Sequence, residues 1–459
     1  MTRQKRGAMG SSHYFFCGVG GSGMMPLAMI VAARGGRVSG SDRSLDQGRI
    51  AEKFAALEKL GIALFPQDGS GVAAGQVFVA SAAVEESVPD VVAANRLGLA
   101  RLSRADLLAQ LFNASAGRIA IGGTSGKSTV TGMTGWILDK AGRDPTIMNG
   151  AVMKNYVRPD APFASARVGA GQAFVSEVDE SDGSIALYTP DIAVLNNVAL
   201  DHKSMEELRR LFGDFVGRAR IAIVNADNAE ALALAGANAR TFGFDADADL
   251  RGTDLVERPD GVDFLANGVR VSLNVPGRHN AANALAALAA AEAAGVPLAQ
   301  GAAALASFAG LRRRLDLVGS RHGVTVIDDF GHNPDKIGAT LDTLHAFPGR
   351  LLVMFQPHGY GPLRLMGREL AETFRTRLGA EDRLFLPDPA YYGGTVDRSQ
   401  GSDALAEAIG PRAEYLPERA AIGLRLLAEA RAGDRILVMG ARDDTLGSFA
   451  ADLLERLDG

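Results

Sequence analysis

The chain has 459 residues, more than one hydrophobic core can organise, so about three domains are expected from length alone. Its formal net charge is −5, with 48 Lys and Arg against 53 Asp and Glu spread evenly, which leaves no basic stripe and excludes nucleic acid as an expected partner. No run is apolar for long enough to cross a bilayer, the basic residues 1–6 lead into small polar ones rather than a secretory apolar segment, and the lone Cys17 cannot close an internal disulfide; no membrane partner and a cytoplasmic location are the expectation.

Residues 13–42 predict a strand, a glycine loop, a helix over 24–33 and a second strand ending at Asp42. Gly18, Gly20 and Gly23 fit G-x-G-x-x-G, and Asp42 stands about where an acid would meet a ribose hydroxyl, so the opening is Rossmann-like. Taken alone it suggests a dinucleotide dehydrogenase. A UDP-sugar, with a diphosphate between two sugars, makes the same demand on a helix N-terminus. Residues 77–81 predict a later strand of that sheet, and 102–110 a capped helix that leads to a small-residue joint at 113–117.

A second α/β unit follows, and its first strand runs into Gly122-Gly-Thr-Ser-Gly-Lys-Ser-Thr129. Without side chains at Gly122, Gly123 and Gly126, backbone N–H groups can turn inward around a polyphosphate, Lys127 can reach its outer phosphates, and a hydroxyl can ligate Mg2+. The generic P-loop has a further glycine where this chain has Ile121. A helix is predicted over 127–141, with strands over 173–177 and 192–196 that both end in polar residues. Glu177 opens a run of four acids within six residues, which a cation or solvent must relieve. His202 lies past the second strand end, and Asn280 and Asn283 stand three apart at a helix start, so their amides share a face. Residues 229–307 are rich in alanine, which predicts helix.

A third unit starts near Leu311, with strands predicted over 324–328, 351–355, 383–386 and 435–439 and helices between them. Arg312, Arg313 and Arg314 lie at the joint, and Asp328 and Asp329 end the first strand. Two readings stand side by side: a basic hinge with an ordinary strand-to-helix turn, or an arginine that reaches phosphate and an acid that closes on a nucleotide.

The ordered set of motifs, from the Gly18–Gly23 loop and the 122–129 loop through Glu177, Asp201-His202, 277–283, 310–316 and 328–334 to Phe355-Gln-Pro-His358, resembles the Mur ligases, ATP-dependent amide-bond formers. Among them it is most similar to those that add L-alanine to UDP-N-acetylmuramate in peptidoglycan precursor synthesis. The resemblance covers nearly the whole chain. It implies an α/β protein of three domains: a Rossmann-like UDP-sugar-binding domain over 1–116, a P-loop-type central ATP-binding domain with a mostly parallel sheet over 117–310, and a Rossmann-like C-terminal domain over 311–459 that closes on ATP and the amino acid.

The implied chemistry phosphorylates a carboxylate with ATP, lets an amine attack the acyl phosphate, and releases phosphate to leave an amide. The resemblance assigns Lys127, Glu177, His202 and Arg314 to catalysis, and Ser128, Glu177 and His202 to Mg2+. It gives ATP to Gly123, Thr124, Ser125, Gly126, Lys127, Ser128, Thr129, Asn280, Asn283, Arg314, Asp329 and His332. Gly18, Gly20, Gly21, Gly23, Asp42 and Ser81 would hold the UDP-sugar, with His358 and Arg364 toward the amine acceptor.

Three departures from the family pattern stand out, of which the first two bear on the acceptor and Arg442 has no physical account. Where the alanine-adding enzymes usually show His-Arg-Tyr-x-Arg, a pair of arginines suited to a carboxylate, this chain has His358-Gly-Tyr-Gly-Pro362. The segment after His202 also differs, and Arg442 replaces a usual glycine. A Mur-type ligase with another amino acid, amine or peptide as acceptor, and a nucleotide-binding regulator that has lost turnover, therefore stay beside the alanine reading.

Overall fold

The first strand, His13–Cys17, is apolar at every position after His13, and both of its faces are covered. Tyr14 and Phe16 point into one cluster with Leu27, Ile30 and Val79, while Phe15 and Cys17 point into another with Phe78, Val91 and Ala94. Such double burial belongs to a parallel sheet between two helical layers, each buried Phe contributing about 1.5–3 kcal/mol. The computed structural model describes residues 12–81, 84–200, 203–245, 247–391, 397–441, 443 and 445–457. They form two compact units, one made of the chain up to Val256 with Asp263–Asn274 and Asn280–Gly310, the other of Glu257–Val262, Val275–His279 and the chain from Leu311.

In the first unit the N-terminal sheet has five parallel strands in the order Ala63–Phe65, Arg37–Ser41, His13–Cys17, Gln76–Ala80, Ala100–Ser103. The glycine loop and the helix Met24–Ala33 fall where the sequence predicts. The predicted helix over 102–110 is corrected: Leu102 and Ser103 end a strand, and the helix is Arg104–Asn113. Ser103 and Asp106 form a capping box, and that pair sets the start.

The larger sheet has ten strands. Its middle runs Ile221–Asn225, Ile192–Leu195, Gly117–Gly122, Ala173–Glu177, Thr146–Met148, all parallel, with Ala166–Arg167 antiparallel on one edge. Residues 229–307 are not helical throughout, as their alanine content predicts. Ala239–Gly243, Leu250–Arg258, Gly261–Ala266 and Val269–Leu273 are strands, and only Ala229–Leu232, Arg278–Ala293 and Leu298–Leu305 are helices. The last two strands are joined by Asn267-Gly268, both at positive φ (44° and 81°), the residue pair that a tight hairpin turn requires. Turn chemistry and buried alternation at Val262, Phe264 and Ala266 outweigh the helix propensity.

The second unit holds a six-stranded sheet in the order Asp316–Arg321, Val324–Asp329, Arg435–Gly440, Leu351–Gln356, Arg383–Leu386, Ala413–Tyr415. The first strand is antiparallel and the rest are parallel. Leu351, Val353 and Phe355 pack with the helices Pro334–His345 and Tyr360–Arg377, and Leu352 and Met354 pack with Arg419–Glu429 and Thr445–Arg456. The strands at its two ends, Asp316–Arg321 and Ala413–Tyr415, are additions to the four that the apolar runs predict.

Candidate active site

Strand Gly117–Gly122 lies between Ala173–Glu177 and Ile192–Leu195, with Ile121 paired to Glu177 and Gly122 to Leu195. The loop that leaves this strand is therefore flanked by Glu177 on one side and by Asn196 and Asn197 on the other, at the C-terminal edge where parallel sheets place ligands. Ser128, the second residue of the helix Lys127–Lys140, donates its hydroxyl to Glu177 Oε2 at 2.7 Å. The Cβ of any other residue at 150 would collide with the Glu177 carboxylate, so Gly150 leaves room for it.

The loop's own shape needs glycine at two positions. Gly123 and Gly126 sit at φ +131° and +81°, and a Cβ on Gly126 would run into the side chains of Asn196 and Asn283. Asn197 accepts from Thr124 Oγ1 and the Ser125 N–H, both at 2.8 Å, and donates to the Ser125 carbonyl. Asn196 donates to the Ser125 carbonyl and to Asn283 Oδ1, and Asn283 in turn donates to Asn280 Oδ1. Asn280 and Asn283 are both buried and share a face of the helix Arg278–Ala293. Thr129 is buried on the helix behind the loop.

Lys127 Nζ donates to the Gly123 carbonyl and to Glu180 Oε2, each at 2.7 Å. Burial raises the Glu180 carboxyl above its ordinary range, and the Lys127 charge and hydrogen bond pull it only part of the way back. For Asp179 burial acts in the same direction but is outweighed by hydrogen bonds from Ser181 and the charges of Lys127 and Arg104, so its net shift is downward. Asp182 pairs with Arg104 at 3.3 Å. His202 and Arg442 lie outside the described residues.

At the first glycine loop the N–H groups of Gly18 and Val19 donate to the Ser41 carbonyl, which closes the loop onto the next strand. Asp42 accepts from the Gly20 N–H at 2.9 Å and from the Ser44 N–H at 2.8 Å, and so braces the loop and caps the short helix Arg43–Asp46. A Cβ on Gly20 would press against Phe54 and Asp42, and one on Gly23 against Arg104. The Gly21 N–H turns back to Gly18 O, and Ser81 follows the strand Gln76–Ala80.

In the second unit Arg313 and Arg314 do different things. Arg313, at φ +61°, is directed inward and pairs with Asp328 at 3.3 Å while donating to the carbonyls of Gly440 and Asp443. Arg314 lies over the Phe330 ring, 4.5 Å from its centroid. Burial pushes the Asp328 carboxyl up to about 7 even with Arg313 beside it. Asp329 is held by three donors of its own unit: the N–H groups of Leu315 and Gly331, and Thr340 Oγ1. His332 and His358 meet edge to face, ring centroids 4.9 Å apart. His332 Nδ1 donates to the Phe330 carbonyl at 2.9 Å, and burial lowers its pKa to about 3. Arg364 is half exposed on the helix Tyr360–Arg377 and pairs with Asp397 at 3.4 Å.

No motif or spacing in the sequence singles out Glu180, Asn196 or Asn197. The doubled asparagine at the C-terminal end of a parallel strand was the available signal for the last two. Glu180 carried none beyond its place in the acidic run.

Three family models match successive stretches of the chain: residues 13–116 match the Mur ligase family catalytic domain, 121–291 the Mur ligase middle domain, and 313–442 the Mur ligase glutamate ligase domain. The UDP-N-acetylmuramate--L-alanine ligase of Acidithiobacillus ferrooxidans is 35% identical over 461 aligned residues, covering 95% of each chain. Among solved structures, the UDP-N-acetylmuramate-alanine ligase of Thermotoga maritima superposes with a TM-score of 0.79 at 23% identity, over 97% of this chain and 98% of that one. A murein peptide ligase from Psychrobacter arcticus gives 0.70 at 24% identity with the same coverage.

Proposed function

The chain belongs to the Mur ligase family, and on that premise we propose that it is an ATP-dependent, ADP-forming ligase joining L-alanine to the carboxylate of UDP-N-acetylmuramate in peptidoglycan precursor synthesis. Its three domains would be 1–116, 117–310 and 311–459. The observation that carries the reading is the register that sets Glu177 against Ser128 at the mouth of the 122–129 loop, with the Lys127 ammonium on the same loop.

A carboxylate is a poor acyl donor because its oxygen leaves badly. Attack of that oxygen on the terminal phosphorus of ATP forms an acyl phosphate and releases ADP. The amine then attacks the acyl carbon, phosphate leaves, and an amide remains. The loop supplies inward N–H groups and Lys127 for the polyphosphate. Ser128 Oγ and Glu177 Oε2, 2.7 Å apart, are oxygen donors of the kind Mg2+ takes, and by family resemblance His202 would help hold a second Mg2+. Mg2+ there would neutralise charge on the phosphates. In the C-terminal unit Arg314 is assigned to phosphate and His332 to the nucleotide. Asn280 and Asn283 support the loop through Asn196, as well as facing the nucleotide by resemblance. The Gly18–Gly23 loop would take the UDP-sugar diphosphate at the N-terminus of the helix Met24–Ala33. Consumption of ATP and a UDP-sugar fits a cytoplasmic enzyme, and no described helix is long and apolar enough to cross a membrane.

The test is ADP release that requires both UDP-N-acetylmuramate and L-alanine and disappears in Lys127→Ala. No ADP release with UDP-N-acetylmuramate and L-alanine together would reject the assignment.

A second reading, with a different acceptor, is favoured by the 358–364 segment. Gly359 sits at φ +142°, a conformation suited to glycine, Pro362 offers no charge, and Arg364 is engaged by Asp397. Assays with alanine, serine, glycine and a tripeptide in parallel separate the two, because only the true acceptor raises ADP release above the amine-free rate.

A further inference from the structure

We propose that Glu180 is the positioning residue for Lys127, a fixed counter-ion that shares the ammonium with the nucleotide's phosphates rather than giving it up to them. The inference rests on the reading of the 122–129 loop as the ATP site.

An ammonium has three protons to donate. Lys127 uses one on Gly123 O and one on Glu180 Oε2, both at 2.7 Å, and a third is left for the phosphoryl group that the loop would receive. Neither fixed partner can move away easily. Gly123 is held at φ +131° between strand Gly117–Gly122 and Asn197, and a Cβ there would touch the Asn197 backbone. Glu180 sits in a turn tied by its own bonds: Gly183 N–H to Glu180 O, Ile185 N–H to Asp179 O, and Ser181 to the Asp179 carboxylate. Asp182, two residues on, is anchored by Arg104 and the Ser184 N–H.

The Glu180 side chain is only 4% exposed, against 21% for Lys127. Withdrawing the lysine would leave a buried carboxylate with no charge partner, which a protein interior penalises heavily. The pair therefore stays closed, and the cation is fixed between the two loop partners. A lysine on a four-carbon stem is otherwise a mobile point charge, drawn to whichever phosphate is nearest in the ground state. Holding it where the transferred phosphoryl group passes favours the transition state over the bound substrate.

The experiment compares Glu180→Gln and Glu180→Asp with the wild-type protein, measuring turnover with UDP-N-acetylmuramate and L-alanine, ADP binding by calorimetry, and melting temperature. Neutralising Glu180 should lower kcat about 10-fold or more while ADP binds as tightly as before or about 3-fold tighter, because the whole cationic charge now faces the phosphates. Glu180→Asp, which keeps the charge, should recover part of the lost turnover. Turnover of Glu180→Gln within about 2-fold of wild type would overturn the proposal. So would a loss of turnover matched by an equal loss of ADP affinity, which is what mere damage to the loop produces, or an aspartate variant no better than the glutamine one. If the wild-type protein itself neither binds ADP nor releases it, the ligase reading fails and Glu180 is not at issue.

Discussion

Glu177 and Ser128 meet at 2.7 Å although 49 residues separate them, and the meeting is a product of sheet register. Ile121 pairs with Glu177 across two parallel strands, so the carboxylate rises at the same edge as the loop that carries Ser128. If both oxygens bind one Mg2+, removing either disables the same ion. Ser128→Ala and Glu177→Gln should each raise the Mg2+ concentration needed for half-maximal turnover and each cut kcat/KM by about 100-fold, while the double variant loses little more than the worse single. Additive losses in the double variant would mean that the two side chains serve separate sites.

A second expectation concerns Gly126. Alanine there must adopt φ +81°, a conformation that costs an L-residue about 1–2 kcal/mol, and its methyl would strike Asn196 and Asn283. Asn196 is bonded to both Ser125 and Asn283, so displacing it unties the loop from the helix beneath. Gly126→Ala should lose ATP-dependent turnover and melt lower, whereas Gly142→Ala, also at positive φ but with open space around it, should keep turnover with a smaller fall in melting temperature. Equal effects of the two substitutions would remove the special standing of the Asn196 contact.

Much of this site was legible because parallel strands announce their ends. Ala173–Glu177 and the strand before the 122–129 loop lie where their apolar runs predict, and Lys127 and Ser128 follow from the loop itself. What the chain order could not convey was which member of a like-charged run turns inward. Of Glu177, Asp179, Glu180 and Asp182, Glu180 meets Lys127 because the turn closes through Gly183 at φ +78°. Of Arg312, Arg313 and Arg314, Arg313 is drawn in by Asp328 because its backbone is left-handed. Those outcomes depend on local dihedrals and long-range partners, which composition and spacing do not carry. The hairpin at Asn267-Gly268 is the opposite case, a signal present in the residues and outweighed in reading by the alanines around it.

Asp329 offers a third test. Its two oxygens take three donors, so it shapes the turn between Val324–Asp329 and the helix Pro334–His345 whether or not it also faces a nucleotide. In Asp329→Asn the new amide must point its hydrogens at a backbone donor, Leu315 N–H in one orientation and Gly331 N–H in the other, where only the Thr340 hydroxyl can turn to accept. A buried donor–donor clash of this kind costs about 1–3 kcal/mol. The variant should therefore melt lower as well as turn over more slowly; unchanged melting with lost turnover would make the carboxylate purely a nucleotide ligand.

The last expectation is an acid limit set by His332. Burial, with Lys336, His358 and Arg314 adding positive charge nearby, lowers its pKa from 6.5 to about 3, and its Nδ1 proton is committed to the Phe330 carbonyl. The folded chain thus keeps this imidazole neutral where the unfolded chain would protonate it. Between about pH 6.5 and pH 3 the unfolded state binds the extra proton, so stability falls as pH falls across that window, by at most about 1.4 kcal/mol per pH unit for this one group, and the term is constant above pH 6.5. Asp328, raised by burial to about 7, works the other way over an overlapping range, since its folded form holds a proton that the unfolded form releases. The two are separated by substitution: urea unfolding of His332→Gln at pH 4.5 and pH 7 should show a smaller acid loss than the wild-type protein, and Asp328→Asn a larger one. Identical pH slopes in His332→Gln and wild type would mean that His332 is protonated in the folded chain near its ordinary pKa.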